Sequence, residues 1–132
     1  MEKIKLTAVI PATPKKIYEA WLDSREHTAM TGAKAKVSAK VNGKFTAWDG
    51  YISGNNLDLK PYKKIVQLWR TAEFPADALD SVFEVSLAPK AGGKCTVTFV
   101  HINIPQGQGL KYKQGWKDFY FTPMKKYFSR KK

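Results

Sequence analysis

The sequence predicts an α+β fold: a curved antiparallel sheet of about six to seven strands wrapped around a long C-terminal helix, with one or two short helices after the first strand. Three observations predict it. The N-terminal residues Ile4, Leu6, Ala8 and Ile10 alternate with Lys3, Lys5, Thr7 and Val9, the period of a strand with one buried face. The middle of the chain is a series of apolar runs separated by turn signals such as Asn42-Gly43, Asp49-Gly50 and Gly92-Gly93. The last segment, about 110–130, spreads Tyr112, Trp116, Phe119, Tyr120, Phe121, Met124, Tyr127 and Phe128 over an arc of about 200°. A helix apolar over so wide an arc belongs inside the concave face of the sheet.

The elements follow in order. After the first strand, Thr13 can cap a helix, Pro14 suits its first turn, and Ile17, Ala20 and Trp21 share a face. That helix ends near Asp23-Ser24, and a second short one is expected around 25–30, stopped by Thr31-Gly32. Strands are then expected at 35–41, 44–48, 51–59, 65–71, 81–88 and 95–104, with a loop at 73–80 and Pro105 ending the last. Pro123 should kink the terminal helix, because it removes one ladder hydrogen bond from the interior.

A chain of 132 residues with 43% hydrophobic content can build a core without disulfides or metal, and is read as one domain over 1–132. The one cysteine, Cys95, excludes a disulfide framework, and His27 and His101 leave little for a metal site, so no cofactor is expected. No apolar run approaches the roughly 20 residues of a membrane span, and the start does not read as a signal peptide. The expectation is a soluble, cytoplasmic monomer.

The net charge of +12 is uneven. Residues 105–132 carry +7 and 33–64 carry +5, while the first 32 are nearly balanced. Such a surface attracts an acidic protein, nucleic acid or anionic membrane, or simply keeps the chain soluble. Nucleic acid is disfavoured. Lysine outnumbers arginine 20 to three, and the aromatics are expected to face inward, where they cannot stack on bases.

Gly43-Lys44-Phe45, Asp49-Gly50, Ser53-Gly54, Leu59-Lys60-Pro61, residues 65–70 (Ile-Val-Gln-Leu-Trp-Arg), Ile104-Pro105, Gln114-Gly115-Trp116, Tyr120-Phe121 and Lys125 occur in the order seen in the activator of the 90-kDa heat-shock protein ATPase family. The chain resembles the C-terminal-domain type of that family, within the START-like (SRPBCC) superfamily, over nearly its whole length. The resemblance implies the helix-grip fold and a stress-related co-chaperone role with the 90-kDa chaperone as partner. The full co-chaperone has a separate N-terminal domain, for which 132 residues leave no room. Other START-like branches bind lipids, polyketides or hormones between helix and sheet.

The expected cavity residues are Gln67, Trp69, Phe83, Val85, Phe99, His101, Trp116 and Tyr120. His101 shares a strand face with Val97 and Phe99, and no carboxylate is legible beside it to orient an acid or base. Gln67 sits between Ile65 and Trp69 on an apolar face, so water, His101 or a ligand head group should bond it. Lys113 and Lys117 fall within the apolar arc, where they snorkel to solvent or meet a ligand carboxylate. With Lys125 and Lys126 they form the expected partner-binding surface. No phosphate loop, nucleophile elbow or paired-carboxylate spacing is present, so the chain reads as a non-enzymatic binding domain, a co-chaperone accessory or else a carrier of a small hydrophobic ligand.

Overall fold

The structure is a computed structural model that describes residues 1–130. Lys131 and Lys132, part of the basic C-terminal end, lie outside the described residues, as does the side chain of Arg130. Strand β1 (Glu2–Ile10) is followed by helices α1 (Pro14–Trp21) and α2 (Ser24–Thr31). Then come β2 (Lys44–Ala47), β3 (Ile52–Lys60), β4 (Lys64–Thr71), β5 (Ser81–Lys90) and β6 (Lys94–Ile104). They form one antiparallel sheet in the order β1-β6-β5-β4-β3-β2.

Local chemistry accounts for the helix ends. The Thr13 hydroxyl accepts the Lys16 N–H, and Pro14, which has no N–H, occupies the first helical position. Asp23, not foreseen as a cap, accepts the Glu26 N–H at the start of α2. Gly32 ends α2 at φ +84°, a left-handed conformation that glycine adopts without penalty.

The strand expected at 35–41 does not form; only Lys36 and Thr46 bridge there. Side chains hold this segment instead. Ser24 Oγ accepts the Val37 N–H and donates to the Val37 carbonyl, and Thr28 Oγ1 does the same at Ala35. A backbone already satisfied this way gains little from a ladder. The sheet therefore has six strands, the lower of the expected numbers.

Alternation decides the core. Ile65, Gln67, Trp69 and Thr71 of β4 are buried, as are Ser81, Phe83, Val85 and Leu87 of β5 and Cys95, Val97, Phe99 and His101 of β6. Register stacks these into rows across the concave face: Gln67, Phe83, His101 and Ile4; then Ile65, Val85, Phe99 and Leu6. Fully burying a side chain of Phe or Ile size contributes about 1.5–3 kcal/mol, so these rows hold the sheet to whatever covers it. At Gly54 of β3, an added Cβ would stand 1.8 Å from the Leu68 carbonyl oxygen and 2.9 Å from the Phe45 ring. Only glycine fits that crossing.

The cover is the terminal helix, which is not one regular helix. It runs as α3 (Gly109–Trp116), a π-helical turn (Lys117–Phe121) and α4 (Thr122–Arg130). The irregularity expected from Pro123 thus falls just ahead of it. The Thr122 N–H bonds the Lys117 carbonyl, five residues back, and this wider turn leads into the residue that has no N–H to give. The extra residue rotates Phe119 out of the apolar arc to 54% exposure while Tyr120, Phe121, Met124 and Phe128 stay buried.

Glu2 joins the two ends of the chain. Its carboxylate accepts N–H groups from Gly107 (3.0 Å) and Gly109 (2.7 Å) and the Gln106 amide (3.0 Å), capping α3 from the first strand. The Gly107 N–H first, then that of Gly109, holds its pKa below the ordinary 4.5. A carboxyl with a depressed folded pKa contributes stability above its unfolded value and loses it as pH falls. Glu2→Gln should therefore lower the Tm at pH 7, and its difference from wild type should shrink as the pH drops below about 4.5, measured by thermal melts across pH.

Candidate functional site

The sheet and the terminal helix meet at a buried polar relay. Ser81 Oγ donates to the Trp69 carbonyl at 2.7 Å, so the 2.7 Å contact between Ser81 Oγ and His101 Nε2 is donated by the imidazole. His101 Nδ1 then accepts the Trp116 indole N–H at 3.1 Å. Each proton of this four-residue chain has one defined acceptor, and the imidazole is neutral. Burial pushes the His101 pKa down to about 3. A serine 2.7 Å from a histidine resembles a catalytic pair, but here the hydroxyl proton points at a carbonyl and both residues are fully buried. No carboxylate was legible beside His101 in the sequence, and the structure gives it the side chains of Ser81 and Trp116 as partners instead.

Gln67 is also hydrogen-bonded to another side chain. Its Nε2 donates to Asn56 Oδ1 at 3.0 Å, and Asn56 Nδ2 donates to the carbonyls of Ser38 and Lys40 at 2.8 and 2.9 Å. Asn56, rather than His101, is its side-chain partner. This buried amide pair ties the segment before β2 to the sheet.

The cavity lies to one side of these networks. It is a half-open pocket of about 320 Å³ lined by Trp48, Tyr51, Ile52, Trp69, Lys111, Tyr112, Gly115, Trp116, Phe119 and Tyr120. Three of the eight expected residues, Trp69, Trp116 and Tyr120, are in its wall. Gln67, Phe83, Val85, Phe99 and His101 are not: they lie in closed core, where Phe83 stacks on Trp116 at 3.9 Å and Phe99 on Phe121 at 4.3 Å. The helix ring system fills the centre of the grip and displaces the open space towards β2 and β3.

Sequence reasoning missed Trp48, Tyr51, Lys111 and Tyr112. Trp48 follows β2 at φ +53°, and Asp49 and Gly50 are left-handed too, at +57° and +91°. That run turns the Trp48 ring onto Phe119, with centroids 5.2 Å apart at 63°. The Asp49-Gly50 dipeptide marked the turn, but its effect on the preceding tryptophan needed a third dimension. At the pocket mouth Glu73 accepts from both the Lys111 ammonium and the Tyr51 hydroxyl. Those bonds, that to Lys111 first, depress the Glu73 pKa, while burial foremost raises that of Tyr51. At the back wall the Tyr120 hydroxyl donates to His27 Nε2 at 2.8 Å, because His27 Nδ1 is committed to the Trp21 carbonyl at 2.9 Å. Burial lowers the His27 pKa as well.

Lys113, Lys117, Lys125 and Lys126 are exposed, and none has an ion pair among the described residues. Lys113 and Lys117, placed inside the apolar arc by helical spacing, flank it in the structure and reach solvent. A second hollow, of about 380 Å³, opens between Pro11–Thr13, Lys16, the β5–β6 turn and Phe128.

A curved antiparallel sheet closed on a long terminal helix, with an aromatic pocket between them, defines a helix-grip domain of the START-like class. Within that class, the sequence profile of the family described as Activator of Hsp90 ATPase homolog 1-like protein matches residues 11–129, and the chain belongs to that family. It is 29% identical over 126 residues to human Activator of 90 kDa heat shock protein ATPase homolog 1, covering 96% of this chain and 37% of the relative. A Dictyostelium discoideum protein of the same description is 26% identical, with 33% of its length covered. The chain thus spans about a third of the length of these curated relatives. Among solved structures, an Hsp90 activator from Plasmodium falciparum superposes with a TM-score of 0.82 at 23% identity, covering 92% of each chain. An Aha1 dimer from Colwellia psychrerythraea superposes at 0.76 with 17% identity and 94% of each covered. At these identities the structures establish the fold. No helix among the described residues is long and apolar enough to cross a membrane.

Trp116→Phe keeps the aromatic stack and leaves His101 Nδ1 unpaired, so it should cost about 1–3 kcal/mol in urea denaturation. Because the His101 pKa is depressed from 6.5 to about 3, the unfolded chain binds the extra proton between those values. Wild-type stability should be full above pH 6.5 and fall as pH is lowered towards 3, with His27 adding in the same direction. His101→Gln should flatten part of that slope, read from the urea midpoint at several pH values.

Proposed function

We propose that this chain is a non-enzymatic accessory domain of the co-chaperone type, which docks on the acidic surface of a 90-kDa heat-shock chaperone through the lysine face of its terminal helix. The observation that carries the reading is that Lys113, Lys117, Lys125 and Lys126 are exposed and hold no ion pair among the described residues, on a chain of net charge +12. Exposed cations of this kind steer an acidic partner and set its orientation more than they add affinity. Family membership and relatives named as activators of the Hsp90 ATPase support the partner. Commitment of both imidazoles to structural hydrogen bonds supports the non-enzymatic part.

The pocket favours a second reading beside the first, carriage of a small apolar ligand. Its volume of about 320 Å³ lies within the range of small-molecule sites, and seven of its ten lining residues are aromatic.

Reversal of charge in the double variant Lys125→Glu/Lys126→Glu should weaken a complex with the 90-kDa chaperone, and raising the salt concentration should weaken the wild-type complex too, measured by calorimetry or analytical ultracentrifugation. Absence of any complex at low salt would overturn the docking reading.

A further inference from the structure

Two backbone irregularities converge on one side of the pocket. Trp48, a bulky residue at φ +53°, and Phe119, carried on the π-helical turn, face each other there. Left-handed backbone at a non-glycine residue and π-helical turns are both locally unfavourable, and both gather at functional sites. In this placement Phe119 is left 54% exposed. Behind this pair, Trp116 and Trp69 form the inner wall, 5.4 Å apart and tilted by 44°. The space between is bounded by ring faces and edges, which favour another ring at offset or edge-on geometry over a flexible chain.

The charge at the pocket is equally specific. Lys111 is the one charged residue in the lining, and no carboxylate lines it. The Lys111 ammonium lies 5.7 Å from the centre of the Tyr112 ring, which keeps it at the mouth. There it and the Tyr51 hydroxyl donate to a single acceptor, Glu73, an exposed residue just past the end of β4. Two donors directed at one carboxylate beside an aromatic cavity form an acceptor site that a carboxylate on a ligand can take over from Glu73. A cationic ligand would meet Lys111 and the field of a +12 protein, whereas an anion is drawn in by both.

We infer that the pocket binds a small planar aromatic acid, its rings between the Trp48–Phe119 pair and Trp116 and its carboxylate replacing that of Glu73 on Lys111 and Tyr51. This rests on the ligand-carrying reading above and adds the chemical class of the ligand.

The test is titration of the full chain with 2-naphthoic acid, its methyl ester and palmitate, followed by tryptophan fluorescence and by the indole N–H chemical shifts of Trp48, Trp69 and Trp116. The acid should bind roughly tenfold more tightly than the ester, about the worth of one charge-assisted hydrogen bond. Lys111→Met should abolish that preference and leave ester binding in place. Glu73→Gln, which removes the charge of the internal competitor, should tighten binding of the acid and leave the ester unchanged. Gly115→Leu, which projects a side chain from the pocket wall, should weaken both while circular dichroism shows the fold intact. Equal binding of acid and ester would overturn the inference and leave the carrier reading standing. Preference for palmitate would replace the ligand class. No indole shift with any of the three at millimolar concentration would overturn both.

Discussion

The relay from Trp116 through His101 and Ser81 to the Trp69 carbonyl is the constraint on which the rest of the structure depends. It crosses three strands and the terminal helix, and it allows one rotation of that helix about its axis. Without a directional bond, a helix apolar over more than half its circumference has many nearly equivalent ways to sit in an apolar trough. Hydrophobic burial supplies most of the energy but is indifferent to rotation by a fraction of a turn. The indole N–H and the imidazole Nδ1 are not, because each is costly to bury unpaired. Once Trp116 is set, Phe83 stacks beneath it, Tyr120 reaches His27, and the pocket opens on the remaining flank.

Two other polar joints work alongside it. Gln67 and Asn56 hold the irregular chain before β2 against the sheet, so that Trp48 emerges where it can meet Phe119. Glu2 fixes the start of α3 to the first strand, setting the helix along its axis where the relay sets its rotation. All three joints are formed by residues distant in sequence, and together they convert an adaptable aromatic core into a single arrangement.

Charge and apolar surface are segregated by this architecture. The lysines of the terminal helix flank its buried stripe, while the pocket opens with Lys111 as its one charged lining residue. The four lysines of the proposed docking face and the residues that line the pocket do not overlap, although they alternate along the same helix. The family relationship bears on the first of these surfaces, and the geometry around Trp48, Phe119 and Lys111 bears on the second.

Local periodicity in the sequence was enough to determine the α+β class, the strand faces, the caps at Thr13 and Gly32 and the inward position of the terminal helix, because each depends on residues a few positions apart. The same short range explains what it misjudged. The pattern at 35–41 looked like a strand, yet Ser24, Thr28 and Asn56 satisfy its backbone from afar. The buried polarity of Gln67 and His101 was legible, but their partners were not, since Asn56, Ser81 and Trp116 lie on other elements. Uniform helical spacing put Phe119 and Lys117 inside the apolar arc, and the π-helical turn changed that phase midway. Only the tertiary structure decided which aromatics pack solid and which enclose space. That outcome follows from the rotation of one helix against six strands, and no local pattern encodes it.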